Sequence, residues 1–149
     1  MIKKPKPVFR ILIVEDDPER ADILQSWLPE GTRAVVVTSA GKALGLLTRD
    51  RGNVYAGILL DHDLQQQTAA SSDLYLSGEQ VAEAIIRYVA KDVPILVHSV
   101  NVQRAPVMVS KLEAAGFCVT RIPMDDLQKE SLLEWLEHAR EIWADREEI

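Results

Sequence analysis

Acidic residues gather where three apolar, strand-forming runs end, and that placement suits a cation-binding pocket. Glu15-Asp16-Asp17 follows the run from Phe9 to Val14. Asp61-His62-Asp63 follows Ala56 to Leu60, and Asp125-Asp126 follows Val119 to Met124. In an open parallel sheet, ligands bind beyond the carboxyl ends of the strands. Carboxylates brought there from separate strands repel one another until a divalent cation joins them. A hard cation such as Mg²⁺ takes oxygen ligands and keeps several waters. Asp16 and Asp17 supply carboxylates from the first strand, Asp61 supplies one from the third, and the carbonyl of Asp63 adds a neutral oxygen. A lone Asp17 would read as a helix cap, but three acids in a row exceed what a cap needs.

Other groups fall near the same strand ends. Ser99 closes the fourth strand beside the end of the third, where a hydroxyl can hydrogen-bond a phosphoryl oxygen. Successive side chains of a strand face opposite ways. With Ser99 toward the pocket, His98 is therefore expected to be a packed or hydrogen-bonded core histidine. His62 follows Asp61 on a loop at the pocket rim, and Asn101 is expected to line that rim. His138, in an acidic helix, reads as a surface residue.

The elements that position these groups alternate between strand and helix five times. Val8 to Val14 is the first β-branched run, and Asp17 with Pro18 starts a helix carrying Ala21, Leu24, Trp27 and Leu28 at helical spacing. Ala34 to Val37 and Val54 to Leu60 are further strands, the latter continuously apolar as a strand covered on both faces should be. A polar, aperiodic stretch at about 65–76 reads as an extended loop. Ser77 to Gln80 fits a capping box for the third helix. Pro94 to Ser99 and Phe117 to Ile122 are the last two strands. Pro106 to Ala115 and Leu127 to Trp143 are the last two helices. With right-handed crossovers, five such units predict an α/β fold. It is a flavodoxin-like, doubly wound, five-stranded parallel sheet of order 2-1-3-4-5.

Composition bounds the rest. With 149 residues, 47% hydrophobic and 27% charged, the chain can bury a sizeable core. We expect a basic, proline-rich tail over residues 1–7 and a single domain over 8–149. A net charge of -6 argues against a general nucleic-acid surface. No apolar run is long enough for a membrane span, and no signal peptide is visible, so a cytoplasmic protein is expected. Cys118 is the only cysteine, which rules out an internal disulfide. It is expected to be an inert thiol in a buried strand. Trp135 and Trp143 do not fit one narrow stripe of the last helix, which raises the expectation of a homodimer.

In combination and in this order, the motifs resemble those of a response-regulator receiver domain. Val14-Glu15-Asp16-Asp17-Pro18 resembles its acidic metal-binding turn and Ile58-Leu59-Leu60-Asp61 its phosphoacceptor strand. Pro94 to Val100 resembles its fourth strand, with Ser99 at the switch Thr/Ser position. The resemblance implies Mg²⁺ at Asp16, Asp17, Asp61 and Asp63, and a phosphoryl group accepted on Asp61 from a histidine kinase or a small phosphodonor. It also implies a downstream protein partner. Asp61, Ser99 and His62 are the residues expected to carry the chemistry. The chain departs from the pattern in two places. The family's fifth strand ends in Lys-Pro, whereas this one reads Arg121-Ile122-Pro123, and the loop after the third strand is longer. Those departures resemble a receiver subgroup proposed to process cyclic phosphates. Its pattern is similar to Leu60-Asp61-His62-Asp63-Leu64, His98-Ser99-Val100-Asn101 and Ile122-Pro123. That resemblance implies metal-assisted phosphodiester chemistry with His62 or His98 relaying a proton. A degenerate receiver serving only as an interaction surface is the third alternative.

Overall fold

Alternation of apolar side chains along the strands divides the interior into two layers, one on each face of a parallel sheet. The computed structural model describes residues 8–64 and 78–147. Its strands are β1 (Arg10–Val14), β2 (Arg33–Val37), β3 (Gly57–Leu60), β4 (Ile95–Val97) and β5 (Val119–Arg121). Its helices are α1 (Pro18–Trp27), α2 (Ala40–Arg49), α3 (Gly78–Tyr88), α4 (Arg104–Ala114) and α5 (Lys129–Glu147). The sheet order is β2-β1-β3-β4-β5, all pairs parallel. This is the flavodoxin-like order that the alternating pattern predicts. The basic tail, the stretch at about 65–76 and Ser77 of the expected capping box lie outside the described residues.

On one face, Leu12, Val14, Ile58, Leu60, Ile95 and Val97 pack under α2, α3 and α4. On the other, Ile11, Ile13, Leu59 and Leu96 pack under α1 and α5. β1, β3 and β4 are buried almost throughout, which explains their unbroken apolar character. β5 is an edge strand, and its three residues are only half-buried. Cys118, just before it, is exposed. The expectation of a core thiol fails because an outer strand lacks a neighbour on one side.

The tryptophans of α5 both find places on their own chain. Trp135 is buried over β3, where a Cβ at Gly57 would come within 2.6 Å of its ring. The absent side chain of Gly57 is what lets the indole lie on the sheet. Trp143 meets the Phe9 ring edge-on, with centroids 5.5 Å apart. This packing removes the reason for inferring a dimer from the two rings. No described helix is long and apolar enough to cross a membrane.

Candidate functional site

Register decides which side chains meet beyond the strand ends. Val14 lies beside Leu60, and Leu60 beside Val97. The backbone ladder continues one residue further, with Asp61 N–H donating to Val14 O and His98 N–H donating to Leu60 O. Glu15, Asp61 and His98 therefore form a row across three adjacent strands, on the face occupied by Ile13, Leu59 and Leu96. All three are buried. Glu15 and His98 reach over the row to hydrogen-bond, Oε1 to Nε2, at 3.1 Å. One potential ligand atom from each of the three lies within 4.8 Å of the others.

His98 thus faces the acids rather than away from them. Ser99, one residue on, is buried and is not among the residues that line the cleft. Its Oγ accepts the N–H of Asn101 at 3.2 Å. The β4 side chain beside Asp61 is an imidazole, not the hydroxyl expected there. β5 follows the same logic. Arg121 is in register with Val97, so it shares the face of Val97, and its Nη2 donates to the Ser99 carbonyl at 3.3 Å. Ile122 takes the place beside His98 and packs in the layer under α1 and α5.

The cation near the row comes instead from α1. Arg20 Nη1 is 3.8 Å from both Glu15 Oε1 and Asp61 Oδ2. Asp17 caps the same helix, its Oδ1 accepting from Glu19 N–H at 2.9 Å and from Arg20 N–H at 3.3 Å. Asp16, Asp17, Pro18, Arg20, Asp61, Asp63 and Val100 line a cleft of about 290 Å³ above the row. Asp125 and Asp126 are not among them. They are exposed in the turn before α5, beyond the edge strand. The convergence of a third acidic pair is not observed.

Burial sets the protonation of the row. It is the main force raising the Glu15 carboxyl to about 7, against a hydrogen bond from Asp17 N–H. Asp61 is raised to about 6, first by burial and then by the Glu15 charge. Burial pushes His98 down to about 4. Asp61 Oδ2 and His98 Nδ1 are buried without a hydrogen-bond partner among the described residues. The half-exposed Arg20, 3.8 Å from each carboxyl, does not offset the burial of two acids this close.

His62 takes a different position. Its side chain lines a small cavity between α3 and α4 with Glu79, Arg104 and Lys111, not the acidic cleft. Its Nδ1 is 2.9 Å from Asp63 Oδ1, and Asn101 Nδ2 donates to the same oxygen at 3.0 Å. Burial works to raise the Asp63 carboxyl, but these hydrogen bonds from His62 and Asn101 hold it below its ordinary value. Asn101 also accepts from the N–H groups of Gln103 and Arg104, tying the cleft rim to the start of α4.

Residues 10–114 match the family model described as the cyclic-phosphate processing receiver domain. The chain belongs to that family. Solved receiver domains share its architecture. The receiver of the sensor histidine kinase PA1611 from Pseudomonas aeruginosa, with a magnesium ion coordinated in its active-site cleft, is 22% identical, with a TM-score of 0.64. The match covers 87% of this chain and 95% of that one. The non-phosphorylated HemR receiver from Leptospira biflexa is 25% identical, with a TM-score of 0.65, covering 88% and 93%. A sensor protein from Polaromonas is 27% identical, with a TM-score of 0.64, covering 89% and 96%. No curated protein matches. Within this receiver domain, sequence reasoning missed Glu15 and Arg20 as members of the cleft's charge cluster, and no strand pattern could reveal Arg20, which comes from α1. The signal for Glu15 lay in its place two residues after Ile13, on the face shared by Leu59 and Asp61.

Proposed function

We propose that this receiver domain hydrolyses a cyclic phosphodiester with the help of a divalent cation, in the cleft above Glu15, Asp61 and His98. The observation that carries this reading is the buried row itself. Where a phosphorelay receiver would set a lysine before the proline of its fifth strand, this chain has Ile122, and the buried side chain in register beside Asp61 is the imidazole of His98. The donor set fits a cation, because Asp61 Oδ2 is buried with no hydrogen-bond partner among the described residues and Glu15 is held partly protonated by burial. Glu15, Asp16 and Asp61 would hold it. When bound, such an ion neutralises phosphate charge and acidifies a water.

The chain's own residues account for the remaining work. Arg20, 38% exposed at the cleft, is placed to donate to phosphate oxygens. Pro18 and Val100 offer apolar wall to the organic part of the substrate. Hydrolysis adds water across one ester bond. The hydroxyl ends on phosphorus, one P–O bond of the ring opens, and the released alkoxide takes a proton. The product is a phosphate monoester. The test is a panel of cyclic nucleotide and cyclic sugar phosphates, assayed with added divalent cations. We expect ring opening by the wild type and a fall of about a hundredfold or more for Asp61→Asn, the scale of losing one charge contact in the transition state. Turnover unaffected by that change would defeat the reading.

A second reading has its own support. Asp61 Oδ2 has no hydrogen-bond partner among the described residues and Asp61 lines the cleft, as a phosphoacceptor requires. On this reading a histidine kinase or small phosphodonor phosphorylates Asp61 with Mg²⁺ present, and the domain signals to a protein partner. Intact-mass analysis after Mg²⁺ and acetyl phosphate separates the two. A single phosphoryl adduct on the wild type but not on Asp61→Asn supports phosphoacceptance, and its absence alongside cyclic-phosphate turnover supports hydrolysis.

A further inference from the structure

We infer that His98 is itself a metal ligand, so that the cleft takes a borderline first-row ion through mixed nitrogen and oxygen donors. Mg²⁺ bound by oxygens alone would then not be the resident ion. The inference rests on the cation-dependent reading of the same cleft. Three observations carry it. First, the three donors come from three strands in one register row, so their separation is fixed by the sheet and not by loops. Second, Glu15 Oε1 and His98 Nε2 stand 3.1 Å apart. Neighbouring ligands on an octahedral ion with bonds of about 2.1 Å lie about 3.0 Å apart. The spacing that now holds a proton also suits a cation between the two atoms. Third, Asp61 is 2% exposed, and its Oδ2 has no hydrogen-bond partner among the described residues, the Arg20 guanidinium standing 3.8 Å away, beyond hydrogen-bond reach.

The chemistry of the donors then selects the ion. Mg²⁺ demands oxygen ligands and keeps several waters. Glu15 and His98 are 0% and 1% exposed, so their side of the site has little room for a hydration shell. Imidazole suits Fe²⁺, Co²⁺ and Zn²⁺, and carboxylates accompany it readily.

Tighter binding of Co²⁺ than Mg²⁺ would occur at an all-oxygen site as well, so affinity alone does not test the inference. The test is electron spin-echo spectroscopy of the intact chain loaded with Mn²⁺, grown with ordinary or isotopically heavy-nitrogen histidine. The expected result is an imidazole-nitrogen modulation that changes with the label, persists in His62→Ala and vanishes in His98→Gln. In parallel, His98→Gln should narrow the ratio of Co²⁺ to Mg²⁺ affinity by about tenfold or more, the scale of losing a metal-supporting group. Absence of the nitrogen signal in the wild type, or its persistence in His98→Gln, overturns the inference. The labelled wild-type measurement stands even if His98→Gln fails to fold. None of these readouts needs turnover. Nitrogen ligation without hydrolysis would sink the proposed function and keep this inference, and hydrolysis without nitrogen ligation would do the reverse.

Discussion

Single atoms at the start of α3 hold the cleft floor in place, and Gly78 is where this is most exposed to test. A Cβ there would lie 2.5 Å from His62 Cα and 2.7 Å from the carbonyl oxygens of Asp61 and His62. Its N–H donates to His62 O at 3.0 Å, so the contact is a backbone-to-backbone join and neither side can swing away. Gly78→Ala is therefore expected to destabilise the fold by roughly 1–3 kcal/mol through overpacking. That corresponds to a melting temperature lower by roughly 3–10 °C for a domain of this size. Thermal denaturation checks it, and a melting point equal to the wild type would mean that α3 can draw back. The same scale explains why His98 is hard to place from sequence. Alternation along β4 says only that His98 and Ser99 face opposite ways. Which of them meets Asp61 depends on Leu60 lying beside Val97, and register is a property of two strands together.

At the scale of elements, the cap of α1 raises a question about roles that substitution can separate. The sequence pattern sets Asp17 among the cation ligands, and in the fold its Oδ1 is engaged by two N–H groups of α1. Asp17→Ala should lower stability by about 1 kcal/mol, the usual worth of an N-cap. Asp17→Asn should restore most of it, because an amide oxygen caps nearly as well. If Asp17 is a cap alone, calorimetric cation affinity should be unchanged in Asp17→Asn, and a loss of affinity there would restore it to the ligand set. The order of elements was legible because five apolar runs alternate with amphipathic ones. Continuous burial in β1, β3 and β4 made those strands plain. Less legible was everything beyond the edge of the sheet. β5 ends at Arg121, and the chain turns at Pro123, with Asp126 N–H donating back to the Pro123 carbonyl at 2.8 Å. That turn carries Asp125 and Asp126 into solvent, and no local pattern distinguishes acids there from acids at the end of a central strand. The same edge position exposes Cys118.

For the whole molecule, the buried row couples stability to pH and to cation. Glu15 and Asp61 have folded-state pKa values raised to about 7 and about 6, so the fold favours their protonated forms. The stability they contribute is fully present below their unfolded values. It is lost as pH rises through the folded ones. His98 works in the opposite sense. Its value is lowered to about 4, so the fold favours the neutral imidazole, and stability is lost as pH falls from its unfolded value toward 4. The two acids outweigh the single base. In chelator, stability should therefore fall by about 2 kcal/mol between about pH 5 and pH 8, since a tenfold change in proton affinity on folding is worth about 1.4 kcal/mol. A bound divalent cation requires the carboxylates ionised and so binds more tightly as pH rises. Adding Mn²⁺ should flatten or reverse the slope, with its largest stabilisation at the alkaline end. Glu15→Gln removes the more strongly raised acid and should flatten the chelator curve without any metal. Denaturant unfolding at a series of pH values, with and without Mn²⁺, measures both curves. Stability that rises with pH in chelator would mean that the row is wetter or better paired than its burial implies. The argument for a cation at Glu15, Asp61 and His98 would then lose its electrostatic basis.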